Sequence, residues 1–158
     1  MLIAISSDEY FPLIDSLIEE VERRGHQVRY FGPSKGEKAL DWPDVTLRAM
    51  QEIKEGRAEE GIVLCWTGTG CALIANKCAG IRAALCIDAE TAKGARIWNH
   101  ANVLALSLRL TSFPVLKEIL NAWLETQYST DEWNLLQMQK IKRAEEEAFQ
   151  FGPVNGSE

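Results

Sequence analysis

The sequence predicts an α/β fold in which one parallel sheet is covered by helices on both faces. Short apolar runs alternate along the chain with amphipathic segments, and this alternation is typical of strand–helix–strand units. The length of 158 residues fits one domain with a sizeable core. We therefore expect a single domain over residues 1–150, ending in a long helix, and a flexible C-terminal tail over residues 151–158.

Five apolar runs are the predicted strands, because each is bounded by glycine or by polar residues. They cover residues 2–5, 27–31, 61–65, 81–86 and 102–106. Six segments with apolar side chains at helical spacing are the predicted helices, and Pro12 and Pro43 suit the first turns of two of them. These segments cover residues 11–24, 43–55, 71–77, 89–96, 113–125 and 132–149. In an open parallel sheet, the ligand crevice lies beyond the carboxyl ends of the strands.

Composition and charge exclude several classes of protein. The net charge is −6, which argues against a broad nucleic-acid surface, since such a surface needs clustered positive charge. No apolar run approaches the roughly 20 residues that cross a bilayer, and the first residues lack the pattern of a signal peptide. We therefore expect a cytoplasmic protein with no membrane partner. The four cysteines form no CxxC pair and only two histidines are present, so we expect neither a zinc site nor disulfides.

The segment with the clearest chemistry covers residues 61–70 and reads GIVLCWTGTG. A buried strand delivers Cys65 to the edge of the sheet, and the glycine-rich turn then exposes backbone N–H groups at the start of a helix. Such groups stabilise an enediolate oxygen and lower the pKa of a thiol. The alternative is an ordinary strand–helix turn with a buried cysteine. Cys71 is either a second thiol of this pocket or a small core residue. The turn is neither GxGxxG nor a Walker loop, so no nucleotide cofactor is implied.

The same segment resembles the ribose-5-phosphate isomerase B / galactose-6-phosphate isomerase family, whose usual text here is GI-x-x-C-G-T-G-x-G, then AANK, then GIRAA. This chain has IANK at 74–77 and GIRAA at 80–84. Further matches occur in the same order along about 125 residues: Ser-Asp at 7–8, D-W-P-D at 41–44, N-x-x-N-V-L-A at 99–105 and A-W-L at 122–124.

The resemblance implies a three-layer α/β/α Rossmann-like sandwich with a five-stranded parallel sheet, in a homodimer whose active sites lie between subunits. Whether two dimers pair into a tetramer stays open. It also implies aldose–ketose isomerisation through a cis-enediolate, without metal or nucleotide. Cys65 would move the proton between C1 and C2 of the sugar, and Thr67 would assist the oxygen-bound proton. The other implied substrate-binding residues at matching positions are Asp8, Gly68, Thr69, Gly70 and Asn99.

Several positions depart from the family pattern. Glu9 replaces a histidine that helps to bind phosphate, and Trp98 replaces the histidine that opens the sugar ring. Trp66 replaces the glycine after the cysteine, and Trp42 replaces a tyrosine. We expect these tryptophans to line the pocket, where aromatic faces pack against sugar C–H groups; the alternative is that they seal a dimer interface.

The anion-binding positions also change. The family's phosphate arginines fall on residues 129–137, which contain no Arg or Lys. Arg109 matches one further phosphate contact, but its alternative is a structural ion pair at the sheet edge. His100, two positions from the family's ring-opening histidine, either takes over ring opening as a catalytic residue or is structural.

These observations predict a cofactor-free aldose–ketose isomerase that acts on a sugar or sugar phosphate, with the usual phosphate site largely replaced. Three versions remain open at this level. The substrate is an unusual sugar without the usual phosphate, or it is a conventional sugar phosphate whose anion site has moved. The third version is a non-catalytic sugar-binding or regulatory protein on the same scaffold.

Overall fold

The computed structural model describes residues 1–150, with side chains through residue 147. The predicted tail at 151–158 lies outside the described residues. Within them, all five predicted strands form one parallel sheet in the order β2-β1-β3-β5-β4. The strands are β1 (Leu2–Ser7), β2 (Gln27–Phe31), β3 (Glu60–Cys65), β4 (Ala83–Leu85) and β5 (Val103–Ser107).

Six helices complete the α/β Rossmann-like fold. They are α1 (Pro12–Arg23), α2 (Trp42–Lys54), α3 (Thr69–Ala75), α4 (Ala89–Asn99), α5 (Phe113–Glu125) and α6 (Glu132–Gln150). Pro12 and Pro43 stand in the first turns of α1 and α2, as predicted. The expectation of an α/β sandwich with a five-stranded parallel sheet is confirmed.

Two apolar clusters hold the layers together, one on each face of the sheet. Alternate residues of a strand point to opposite faces, so Ile62 and Leu64 of β3 pack with α1, α4 and α5, whereas Val63 and Cys65 pack with α2 and α3. The second face carries smaller side chains, such as Ala4 of β1. Because those side chains are small, α2 and α3 approach the sheet closely, and Cys65 is enclosed on this side.

The bounds of several elements differ from the sequence-based prediction, and for β4 and α4 the structure gives a local reason. Strand β4 has three residues rather than six, because side chains form hydrogen bonds with backbone groups at its start. The Asn76 side chain bonds both the N–H and the carbonyl of Ala83, and the Asn102 side chain accepts from the N–H of Arg82. Helix α4 continues three residues beyond the predicted end. It stops where His100 adopts a left-handed conformation with φ +47°.

The fold brings three loops to one edge of the sheet. Strand β3 lies between β1 and β5, with Ser7 opposite Leu64 and Cys65 opposite Ser107. The loops after β1, β3 and β5 are therefore neighbours at the carboxyl edge, where ligands bind in sheets of this kind.

Candidate active site

Cys65 is the last residue of the central strand and lies at the centre of the carboxyl edge. Its side chain is only 5% exposed. Its carbonyl accepts hydrogen bonds from the N–H of Leu108, at 3.0 Å, and from the N–H of Gly68, at 3.2 Å. The thiol is therefore held between the glycine-rich turn that follows β3 and the loop that follows β5.

Gly68 allows this turn to close tightly. Its φ is +77°, which disfavours residues with a Cβ. A Cβ at this position would lie 2.5 Å from Cδ1 of Leu85 and 2.9 Å from the carbonyl carbon of Leu106. A side chain of any size would push the turn away from β4 and β5, and with it the N–H groups that surround Cys65.

The Cys65 thiol is strongly acidic in this setting. A hydrogen bond with the Cys71 thiol, then the backbone N–H groups of Cys71, Gly68 and Gly70, lower the pKa of Cys65 to about 5, although burial opposes this shift. The sulfur is therefore a thiolate at neutral pH, and a thiolate is competent as a base or nucleophile.

Asp8 follows β1 and is the carboxyl group that interacts with this thiolate. Burial, and then the charge of Cys65, raise the pKa of Asp8 to about 6. Its Oδ1 is buried and has no hydrogen-bond partner within residues 1–147. A carboxylate oxygen of this kind is available to accept a hydrogen bond from a ligand hydroxyl.

Polar and aromatic side chains form the rim around Cys65. The hydroxyls of Thr67 and Thr69 are 2.7 Å apart and exposed to solvent. The Trp42 ring packs against Gly70, since a Cβ on that glycine would lie 3.3 Å from the ring. Trp66 is about half exposed, and its carbonyl is fixed by the hydroxyl of Ser107 at 2.8 Å.

Arg109 and Glu9 lie on the loops after β5 and β1, at this same edge. The backbone N–H of Arg109 donates to the Trp66 carbonyl at 3.2 Å, and its side chain is exposed. In the part of the chain that the structure describes, the Arg109 guanidinium has no ion pair, so the alternative of a structural ion pair finds no partner there. The carbonyl of Glu9 accepts from the Ser7 hydroxyl at 2.8 Å.

Trp98, Asn99 and His100 lie at the opposite edge of the sheet from Cys65. They lie at the end of α4, which runs back to the amino ends of the strands. Two residues after His100, the carbonyl of Asn102 accepts a hydrogen bond from the N–H of Gly61 at the start of β3. Cys65 is four residues further along this strand, or about 13 Å at 3.3 Å per residue. One protomer therefore does not bring these residues together with the thiolate.

His100 is engaged in contacts at that opposite edge. Its Nε2 is 2.8 Å from the carbonyl of Ser129, and its carbonyl accepts from the Arg82 guanidinium at 2.8 Å. Beside it, Arg96 forms a buried ion pair with Glu60, at 2.7 Å. The contact with Ser129 joins the end of α4 to the segment between α5 and α6, and this is the structural alternative for His100.

Trp98 and Asn99 line a groove of about 980 Å³ along the edge strand β4. Its walls come from the α3–β4 loop, α4 and α6. Sequence reasoning missed this groove, because no local pattern identifies an edge strand. Sequence reasoning also left the role of Cys71 open. The available signal in the sequence was that Cys71 follows Cys65 by six residues, which places one cysteine at the end of a strand and the other in the first turn of the next helix.

Within residues 1–147, no group of three or more His, Cys, Asp or Glu side chains is arranged to hold a metal ion. The helices of the same region include none that is both long and apolar enough to cross a membrane.

Comparisons with known proteins define the family. The Ribose/Galactose Isomerase family matches residues 3–141. D-erythrulose-4-phosphate isomerase of Pectobacterium atrosepticum is 38% identical over 128 residues, which cover 80% of this chain and 84% of that protein. Ribose-5-phosphate isomerase B of Escherichia coli is 34% identical over 118 residues, with 75% and 78% covered.

The structural comparison agrees with this result. Ribose-5-phosphate isomerase B of Clostridium thermocellum superposes with a TM-score of 0.87 at 32% identity, over 94% of this chain and 99% of the other. The chain belongs to the ribose/galactose isomerase family. It is accordingly an isomerase of the intramolecular oxidoreductase class, as the sequence predicted.

Proposed function

We propose that this enzyme interconverts a four-carbon aldose and a four-carbon ketose, each with a terminal phosphate, and that the Cys65 thiolate is the base. The observation that carries the reaction is the position of Cys65 at the carboxyl end of the central strand, beside a glycine-rich turn whose backbone N–H groups help to lower the pKa of this thiol. A proton on the carbon beside a carbonyl needs a positioned base and donors for the oxygen that becomes negative.

The proton follows a short path. The Cys65 sulfur removes a proton from the carbon beside the carbonyl, which leaves a cis-enediolate, and it returns that proton to the neighbouring carbon. The Thr67 hydroxyl, 2.7 Å from that of Thr69, moves the proton between the two substrate oxygens. The turn through Gly68 and Gly70 presents backbone N–H groups beside Cys65, and these stabilise the enediolate oxygen.

Asp8 orients the substrate. Its unpartnered Oδ1 accepts a hydrogen bond from a sugar hydroxyl, which offsets the cost of keeping this oxygen buried. Because the carboxyl and the thiolate interact, a hydroxyl bound to Asp8 lies close to the sulfur that acts on the carbon next to it.

A four-carbon substrate explains why the family's ring-opening histidine is absent. When the C4 oxygen carries the phosphate, it cannot attack the carbonyl, so neither the aldose nor the ketose closes a five-membered ring. Such a substrate needs no ring-opening acid, and Trp98 stands where the family has that histidine. The relative from Pectobacterium, named for D-erythrulose 4-phosphate, supports the same substrate class.

The phosphate is bound by a reduced set of groups. Arg109 is exposed at the carboxyl edge with no ion pair in the described region, so its guanidinium is available to a phosphate. Glu9 weakens binding of a dianion from the other side. Trp42 and Trp66 narrow the space above the turn, which favours a short sugar over a five- or six-carbon one.

Two copies of the chain complete the site. Helix α6 exposes apolar side chains that an isolated protomer leaves uncovered, namely Trp133, Leu135, Leu136 and Ile141. A second copy that covers this face and the groove along β4 brings Trp98 and Asn99 of the partner subunit towards Cys65. The homodimer, or a tetramer of two such dimers, works in the cytoplasm, where the reducing environment keeps Cys65 as a thiol.

A matched substrate panel tests this proposal. D-erythrulose 4-phosphate, its unphosphorylated form and ribose 5-phosphate are compared by kcat/KM. We expect the four-carbon phosphate to exceed both others by about 10² or more, since chain length and phosphate each contribute. Preference for the neutral sugar would overturn the phosphate assignment, and preference for ribose 5-phosphate would overturn the chain length. Binding of all three sugars without turnover would instead indicate the non-catalytic alternative.

A further inference from the structure

Ser107 has a buried hydroxyl at the carboxyl edge that the proton transfer described above does not use. It is the last residue of β5, is paired with Cys65 in the sheet and is only 2% exposed. Its hydroxyl donates to the carbonyl of Trp66, at 2.8 Å, and accepts from the backbone N–H of Leu110, at 3.3 Å. One side chain therefore joins the glycine-rich turn after β3 to the turn after β5.

The turn after β5 carries Arg109 and is bonded to the same carbonyl. The N–H of Thr111 donates to the carbonyl of Ser107, at 3.0 Å, and closes this turn. Inside it, the N–H of Arg109 donates to the carbonyl of Trp66, at 3.2 Å. The Trp66 carbonyl therefore has two donors, the Ser107 hydroxyl and the Arg109 backbone. Since Trp66 directly follows Cys65, these bonds set where the Arg109 backbone lies relative to Cys65.

We propose that Ser107 is a positioning residue: its hydroxyl holds the turn of Arg109 in a fixed place beside Cys65, so that a substrate anchored by its phosphate presents the reacting carbon to the sulfur. The proposal rests on the proposed function, in which Arg109 binds the phosphate and Cys65 is the base. Ser107 itself touches neither the phosphate nor the reacting carbon in this role.

The hydrogen bonds of Ser107 fit positioning and leave no proton for catalysis. A hydroxyl has one proton to donate, and that of Ser107 lies on the Trp66 carbonyl. Its oxygen also accepts from the N–H of Leu110. Nearly complete burial keeps the hydroxyl away from water that would compete for these bonds. The side chain is therefore a fixed link between two turns and is not a further acid or base.

The position of the Arg109 backbone matters because its side chain is exposed and has no ion pair within residues 1–147. When the Ser107 hydroxyl is removed, the Leu110 N–H loses its acceptor and the Trp66 carbonyl loses one of its two donors. A displacement of about 1 Å between an anchored substrate and its base lowers the rate roughly 10²-fold. A neutral sugar is not anchored at Arg109, so its turnover does not depend on this geometry.

Kinetics on a phosphorylated sugar and its neutral form separate this role from a general effect on the fold. Ser107→Ala should lower kcat/KM for D-erythrulose 4-phosphate by about tenfold, since a hydrogen bond that aligns the substrate is lost. For D-erythrulose the change should stay within about twofold. The matched control is Ser6→Ala: Ser6 is fully buried on β1, and its hydroxyl has no hydrogen-bond partner within residues 1–147. This control should leave both values within about twofold of wild type.

A double-mutant cycle shows whether Ser107 acts through Arg109. Arg109→Gln removes the guanidinium charge, and in that background Ser107→Ala should change kcat/KM by less than about twofold, because the group that it positions is gone. Equal losses in both backgrounds, equal losses on both sugars, or no loss at all would overturn the proposal and leave Ser107 as a packing residue. If Arg109→Gln itself has no effect on the phosphorylated sugar, the phosphate assignment of the proposed function fails, and this proposal fails with it.

Amide hydrogen exchange tests the link without any substrate. Exchange of the Arg109 N–H, followed by NMR in the whole protein, should be about tenfold faster in Ser107→Ala than in wild type and unchanged in Ser6→Ala. This N–H is informative because its own acceptor, the Trp66 carbonyl, is retained in both variants. Thermal melts establish that each variant is folded. An unchanged rate in Ser107→Ala would contradict the proposal, whether or not the enzyme turns over the proposed sugar.

Discussion

The His100 ring stacks face to face on the Tyr128 ring, with centroids 4.7 Å apart and planes within 7°, at the edge of the sheet opposite to Cys65. This stack fastens the end of α4 to the segment that leads into α6. The stack engages the imidazole of His100, the residue that sequence analysis considered as a replacement for the ring-opening histidine. We therefore expect His100 to contribute to stability rather than to turnover.

Replacing His100 by asparagine separates these two roles. Asparagine tolerates the left-handed backbone at this position but cannot stack, so His100→Asn should lower the free energy of unfolding by about 1–2 kcal/mol. Because an acyclic substrate needs no ring opening, kcat should stay within about threefold of wild type, whereas loss of a general acid costs roughly 10²–10⁴. A stable variant whose kcat falls a hundredfold would assign His100 to catalysis. Tyr128→Leu removes the stack from the other side and should reproduce the stability loss.

A site shared between subunits predicts recovery of activity on mixing. Cys65→Ala and Asn99→Asp homodimers should each be inactive, because one loses the base and the other puts a negative charge beside a phosphorylated substrate. In a mixed dimer, one site combines an intact Cys65 with an intact Asn99 of the partner subunit. After the chains are unfolded and refolded together, random pairing should restore about a quarter of wild-type activity. Failure to recover, with mixed dimers present in the native mass spectrum, would argue that Asn99 acts within its own subunit or not at all.

The turn at Gly68 predicts a steric cost that another left-handed glycine does not share. Gly56 has a similar φ of +69°, but a Cβ there meets nothing within 4 Å, so Gly56→Ala isolates the backbone cost, about 1–2 kcal/mol. Gly68→Ala adds the clash with Leu85 and Leu106, and should cost about 1–3 kcal/mol more. Urea unfolding measures both values. Equal losses in the two variants would mean that the turn is not packed against β4 and β5 as described.

The buried carboxyl of Asp8 predicts a gain in stability when it is made neutral. Its pKa of about 6 in the folded state exceeds the ordinary value of 3.8, so its contribution to stability is present below pH 4 and is lost as the pH rises through 6. Asp8→Asn should therefore be more stable than wild type at pH 7, by about 1 kcal/mol after allowance for solvent screening. The gain should disappear at pH 4. The same variant should bind substrate poorly, since it loses the acceptor for a sugar hydroxyl.

The exposed carboxylate of Asp44, on α2, is the matched control for that experiment. Asp44→Asn should not increase the free energy of unfolding at pH 7. A gain of the same size in both variants would attribute the effect to net charge and not to burial of Asp8.

The alternation of apolar runs was sufficient to predict the sheet, and the strand that ends at Cys65 was sufficient to place the thiol at the carboxyl edge. Local patterns did not give the length of β4, because side chains of Asn76 and Asn102 take up the backbone groups beside it. Nor did they reveal that Cys71 lies in the same buried cluster as Cys65, with its thiol on the Gly68 carbonyl, because this depends on the three-dimensional path of the turn.

The position of Trp98 and Asn99 shows another limit of sequence reasoning. The resemblance implied a site between subunits, with Asn99 in contact with substrate from its own or the other subunit, and in one chain the end of α4 lies at the opposite edge of the sheet from Cys65. Whether the two meet depends on the packing of a second chain, and no spacing within one sequence encodes that packing. Residues that depend only on the order of strands and turns, such as Asp8 and Thr67, were placed at the correct edge from sequence.

The most direct test of the central claim, that Cys65 moves a proton on the substrate, is deuterium exchange in D₂O. D-erythrulose 4-phosphate is incubated with wild type, with Cys65→Ala and with the thiol control Cys78→Ala, and NMR follows deuterium uptake at C1 and C2. We predict uptake with wild type and with Cys78→Ala, and a rate lowered by about 10²–10⁴ or more in Cys65→Ala. Exchange that persists at the wild-type rate in folded Cys65→Ala would contradict the account, because another group would then be the base.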